Sequence, residues 1–163
     1  MGNFKENEVY LCSKKSSEII DVLKHLTNGL KREGIYVTLE EPFDKLISAL
    51  KSEAIDDSYL FFVDVTFKAK GISYHKCYFV QNRTDMLTEM SIAITNAINT
   101  GMFNFLYFDN MAVLHNAVAE NEFKNFISYL ANKVKSYNMT SIFITGKEGN
   151  ADLRRTSIKN LYK

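Results

Sequence analysis

Strand-like and helix-like segments alternate along this chain, and the alternation limits its fold more than any other property of the sequence. "YLFFVDV" (Tyr59–Val65) is a near-continuous apolar run, the pattern of a parallel strand buried on both faces. "IYVTL" (Ile35–Leu39), "FNFLYF" (Phe103–Phe108) and "SIFIT" (Ser141–Thr145) are rich in the β-branched and aromatic residues that strands prefer. "VYLCS" (Val9–Ser13) and "CYFV" (Cys77–Val80) read as shorter strands. Between the strands, apolar residues recur at helical spacing: Ile19, Leu23, Leu26 and Leu30; Phe43, Leu46, Ile47 and Leu50; Leu87, Met90, Ile94, Ala97 and Ile98; then Phe123, Phe126, Ile127, Leu130, Val134 and Tyr137.

Strands joined through helices need crossover connections, and these make neighbouring strands parallel. The expected fold is therefore α/β, with three layers (α/β/α) around a mostly parallel central sheet. Residues 1–163 form one domain, since the chain has the length and the 46% apolar content of a single core and shows no repeat or linker.

Local signals set the expected boundaries. Ser16 or Ser17 caps the first helix and Gly34 stops it. Pro42 suits the first turn of the second helix. Thr84 or Asp85 caps the third, and Gly101 ends it. "KAKGISYHK" (Lys68–Lys76) reads as a loop, and "NMAVLHNAVAE" (Asn110–Glu120) as a loop with a helical turn. The tail from Gly146 to Lys163 is expected to hold a final short helix near Leu153–Leu161.

Charge and composition exclude several classes. Lys plus Arg number 20 and Asp plus Glu 19, so no global basic field draws the chain onto nucleic acid, the least supported partner. No apolar run approaches the roughly 20 residues that span a bilayer. The polar start lacks the apolar core of a signal peptide, so the expected location is cytoplasmic and no membrane partner is expected. Cys12 and Cys77 are too few and too far apart for a disulfide framework or zinc site. His25, His75 and His115 show no ligand spacing.

In an open parallel sheet, ligands bind outside the carboxyl ends of the strands. Those ends carry Cys12-Ser13-Lys14, Glu40-Glu41, Asp64, Asp109-Asn110 and Thr145-Gly146-Lys147. Acidic and basic groups gather there, although ordinary loops also place polar residues at strand ends.

Five stretches, "YVTLEEPFDKL", "LFFVDV", "LTEMSIAITNAI", "FNFLYFDNMAVL" and "FISYLANKVKSYNMTSIFIT", resemble in order and spacing the RecA-like ATPases, above all the archaeal branch related to KaiC. The resemblance runs from Val9 to about Lys147. It implies that Asp109, at the end of the Walker B-like "FLYFD", would hold magnesium or its water. It also implies that Glu40 and Glu41 occupy the positions of paired glutamates that activate the attacking water. Helix capping before Pro42 equally explains those two acids.

The first loop departs from the family. A phosphate loop reads G-x-x-x-x-G-K-[ST], and its glycines let backbone amides turn inward on the phosphates. The matching stretch here is "CSKKSSEI". Lys14 or Lys15 before Ser16 or Ser17 echoes only the end of the motif. The expectation is a RecA-like P-loop NTPase fold without a working P-loop, acting non-catalytically as a protein-interaction or regulatory module, with a protein partner or self-association. The sheet edge and an apolar surface of Met111, Val113 and Leu114 are its candidate contacts. The alternative is weak Mg-ATP binding, with little or no hydrolysis, through Lys14, Lys15, Ser16, Glu40, Glu41 and Asp109, with Asp109 at the metal. No other cofactor is expected.

Overall fold

The computed structural model describes residues 4–69, 76–149 and 151–161. The strands are β1 (Val9–Cys12), β2 (Gly34–Thr38), β3 (Leu60–Asp64), β4 (Cys77–Phe79), β5 (Phe105–Phe108), β6 (Thr140–Ile144) and β7 (Arg154–Thr156). The helices are α1 (Ser17–Lys24), α2 (Phe43–Ser52), α3 (Met86–Asn99), α4 (Met111–Ala117) and α5 (Glu120–Ser136). The sheet runs β4-β3-β2-β5-β6-β1-β7. Every pairing is parallel except β1 with β7. The expected three-layer, mostly parallel architecture is what the chain adopts.

β2, β5 and β6 are buried at every position, which explains their unbroken apolar runs. Alternate residues feed two separate cores. Val37, Phe108 and Phe143 pack under α3, α4 and α5. Tyr36, Tyr107 and Ile142 pack under α1 and α2.

Four boundaries differ from the expectations. α1 passes into a π-helical turn at His25–Gly29 rather than running to Gly34. Gly34 opens β2 instead, and a β-carbon there would overlap the Phe105 ring. "NMAVLHNAVAE" contains a true helix, α4, capped by Asn110, whose Oδ1 accepts from the Ala112 amide at 3.0 Å. The tail forms an edge strand and a 3-10 turn at Ile158–Asn160, not a helix. Its polar residues gain their order from pairing with β1, a contact that no local signal reports.

Met111 and Leu114, expected on an interaction surface, are buried in the core, and only Val113 is exposed. Residues 70–75 of the expected loop, including His75, lie outside the described residues. Among the described residues no helix is long and apolar enough to cross a membrane.

Candidate functional site

A cleft of about 650 Å³ opens at the carboxyl ends of β1, β2, β5 and β6. The strand order places it there: β1 and β2 are consecutive in sequence, yet β5 and β6 lie between them. Of the six expected site residues, Lys14, Lys15, Glu40, Glu41 and Asp109 line it. Ser16 does not; it caps α1, its Oγ accepting from the Ile19 amide at 3.3 Å.

Only Ser13, Lys14, Lys15 and Ser16 separate β1 from α1. None is left-handed; among the described residues the non-glycine positions with positive φ are Asn7, Lys31, Ala54, Phe67 and Asn138. The chain's own atoms occupy the turn. Cys12 Sγ lies 2.8 Å from the Lys14 carbonyl and 2.7 Å from the Ala151 carbonyl. Beyond β6 the chain returns across the start of α1, where the Leu153 amide donates to Glu18 Oε2 at 3.0 Å. Lys15 pairs with Glu53 at 2.9 Å.

Asp109 is 8% exposed, and both its oxygens are engaged. Oδ1 accepts from the Leu39 amide at 2.8 Å, and Oδ2 lies 2.9 Å from Thr38 Oγ1. Thr38 Oγ1 is also 2.5 Å from the Glu41 carbonyl. A hydroxyl has one proton. With that proton on the Glu41 carbonyl, the Asp109 contact is satisfied when Asp109 itself is protonated. Burial acts in the same direction, pushing the carboxyl up to about 6 against the opposing bonds from Leu39 and Thr38, with the nearby Glu40 charge adding to the rise.

Glu40 is held by Asn110, whose Nδ2 donates to Glu40 Oε1. Asn110 in turn touches Gly146, which has φ +70° and where a β-carbon would overlap Asn110 Oδ1. The turn after β6 therefore forms one wall, through Gly146, Lys147, Glu148 and Gly149. Arg154 and Arg155 sit elsewhere, on β7, with Arg155 paired to Glu8 at 3.2 Å.

Sequence reasoning missed the wall residues Tyr36 and Gly149 and the partners Thr38 and Leu39. A glycine directly after a strand was the available signal for the Gly146 wall. No local signal marks the partners, because they lie on β2 and just beyond it, far from Asp109 in sequence.

A second hollow, about 830 Å³, runs beside β4. Its acids are already satisfied: Asp64 by the amides of Phe43 and Thr66 and the Thr66 hydroxyl, Glu89 by the amides of Gln81 and Asn82 and the Tyr78 hydroxyl. The cleft over Asp109 is the better candidate, because mixed charges converge there at strand ends. Both Asp109 oxygens already take part in a hydrogen bond, so a magnesium ion or its water would compete there with Leu39 and Thr38; among the described residues no group of three or more His, Cys, Asp or Glu is placed to hold a metal.

A family model described as "ATPase: KaiC" matches residues 19–161. The match starts within α1, so Lys14, Lys15 and Ser16 fall outside it. Among solved structures, a KaiC-like protein from the hyperthermophilic archaeon Pyrococcus horikoshii OT3 is similar with a TM-score of 0.60 and 17% identity. The similarity covers 92% of this chain and 66% of that one, just under two thirds of its length. At that identity the likeness concerns the fold. No curated protein matches the sequence.

Proposed function

The chain belongs to the KaiC ATPase family, and from that premise we propose that it is a non-hydrolysing member, an interaction or regulatory module built on the ATPase fold. The observation that carries this reading is the four-residue β1–α1 turn, occupied by Cys12 and crossed by the backbone of Ala151. A triphosphate cradle needs inward-facing amides at positive φ, which glycine supplies without strain. Here four residues with β-carbons stand in that place. The turn is thus the element that has lost the phosphate-loop function.

Asp109 supports the same reading. An acid that bonds Leu39 and Thr38 with both oxygens, and whose burial raises its carboxyl to about 6, is a poor partner for a magnesium-bound water. Glu40, turned onto Asn110, is poorly placed to activate a water.

One observation favours a second reading. Lys14, Lys15 and Lys147 all line the cleft; Lys15 is paired with Glu53, and the ammonium groups of Lys14 and Lys147 attract phosphate oxygens without a cradle. Weak Mg-ATP binding with little hydrolysis is the alternative.

Phosphate release and thermal melting with Mg-ATP separate these readings. The first expects neither turnover nor a melting shift. The second expects a shift, since a ligand at a hundred times its dissociation constant stabilises by about 2.7 kcal/mol. Magnesium-dependent turnover lost in both Lys15→Ala and Asp109→Asn overturns the first.

A further inference from the structure

The outer face of α3 is unlike that of the other long helices. Glu89 is its one charged side chain, and that carboxylate is turned onto the Gln81 and Asn82 amides and the Tyr78 hydroxyl. What meets solvent is Thr88, Ile92, Asn96 and Asn99, with Ser91 and Thr95 half-buried. By contrast, α2 exposes Asp44, Lys45 and Lys51, and α5 exposes Glu120, Lys124 and Lys135. A helix face that stays in water ordinarily carries charge.

The neutral face continues onto α5 across a shallow groove of about 420 Å³. Ile92 is 55% exposed and Tyr129 47%. Thr95 and Tyr129 share a hydrogen bond across the groove at 3.0 Å, and Tyr137 donates to Asn99 at 3.1 Å. These bonds tie the two tyrosine hydroxyls to α3. Among the described residues, Asp85 caps the patch at the start of α3, and two charges border it on α5. Glu122 lies in the first turn, and Lys133 lies in the last turn with its ammonium over the Tyr137 ring. Eleven residues separate them, three helical turns, so they share one side of α5 about 16 Å apart.

The geometry points to a second copy of this chain as the occupant, packed face to face about a twofold axis through the α3–α5 groove. A twofold interface sets each surface against itself, so any one-signed charge would repel its image. This patch has none at its centre. An antiparallel arrangement also brings Glu122 of one copy toward Lys133 of the other, twice per dimer. The inference rests on the interaction-module reading and names its partner. The footprint of two adjacent helices is on the order of 400 Å² per copy, half that of a standard interface, so the dimer is weak and reversible.

Sedimentation equilibrium up to about 0.5 mM, as a weak interface requires, tests this. The mass of the wild-type protein should rise from the 18.7 kDa chain toward twice that value. Ile92→Glu, at an exposed position, should remain monomeric with an unchanged melting temperature. Glu122→Lys and Lys133→Glu should each weaken association roughly threefold or more, and the two together should restore it. A wild-type monomer throughout, a dimer indifferent to Ile92→Glu, or a double swap that fails to restore association overturns the proposal. Phosphate release measured on the same samples keeps the outcomes apart. Turnover by an intact dimer overturns the non-hydrolysing reading alone, and a silent monomer overturns this inference alone.

Discussion

Asp109 gives one carboxyl oxygen to the backbone amide of Leu39, 2.8 Å away, and so ties the end of β5 to the loop that carries Glu40 and Glu41. It fastens two neighbouring strand ends.

Replacing Asp109 by Asn should reveal that role through pH. Folding raises this acid to about 6, so between roughly pH 4 and 6 the folded state binds more protons than the unfolded one. Stability then falls as pH rises through that window and levels off above it. The total is about 2–3 kcal/mol. An Asn amide can accept from Leu39 and donate to Thr38 without ionising. In urea titrations, Asp109→Asn should match the wild type near pH 4 and exceed it by about 2 kcal/mol at pH 7. A variant weaker than the wild type at pH 7 would sink the account.

Gly146 and Gly101 both have φ near +70° but differ in surroundings. Gly101 has open space around it, whereas Gly146 lies against Asn110 and Ala112. Gly101→Ala should cost about 1 kcal/mol, from backbone strain alone. Gly146→Ala should cost clearly more, about 2–4 kcal/mol, because Asn110 must move and release its contacts to Glu40 and the Ala112 amide. Equal losses in thermal melts would contradict the close approach.

Gly34 and Phe105 should be coupled. Gly34→Ala drives a methyl into the Phe105 ring and should destabilise by about 3 kcal/mol. In the background of Phe105→Leu the same change should cost at least 1 kcal/mol less. A double-mutant cycle with no interaction energy would contradict the packing described.

Ser141 is fully buried, and its hydroxyl has no partner among the described residues. Ser141→Ala removes an unsatisfied donor and should raise stability by about 1 kcal/mol, seen as a melting temperature a few degrees higher. A lower melting temperature would show that the hydroxyl is bonded.

Much of the fold was readable because buried parallel strands declare themselves. β2, β3, β5 and β6 lie within two residues of the apolar runs that predicted them. β7 was not readable: Arg154 and Arg155 on an edge strand look like any solvated tail, and the order comes from β1. α4 escaped because its weak apolar stripe hid the Asn110 cap. The site was readable as a place, since parallel sheets put their ligands at the carboxyl ends of strands. Its chemistry was not. Whether Asp109 turns to solvent or to the Leu39 amide depends on a partner seventy positions away, which no local pattern encodes.

If the proposed non-hydrolysing reading holds, the crossing of Ala151 and Leu153 over the opening of α1 also limits any attempt to engineer hydrolysis. Grafting glycines onto this short turn would free its dihedral angles and still leave the seat filled by a tenant attached to the same polypeptide. Two coordinated changes are needed, a longer bend after β1 and a rerouted exit from β6, and neither helps without the other.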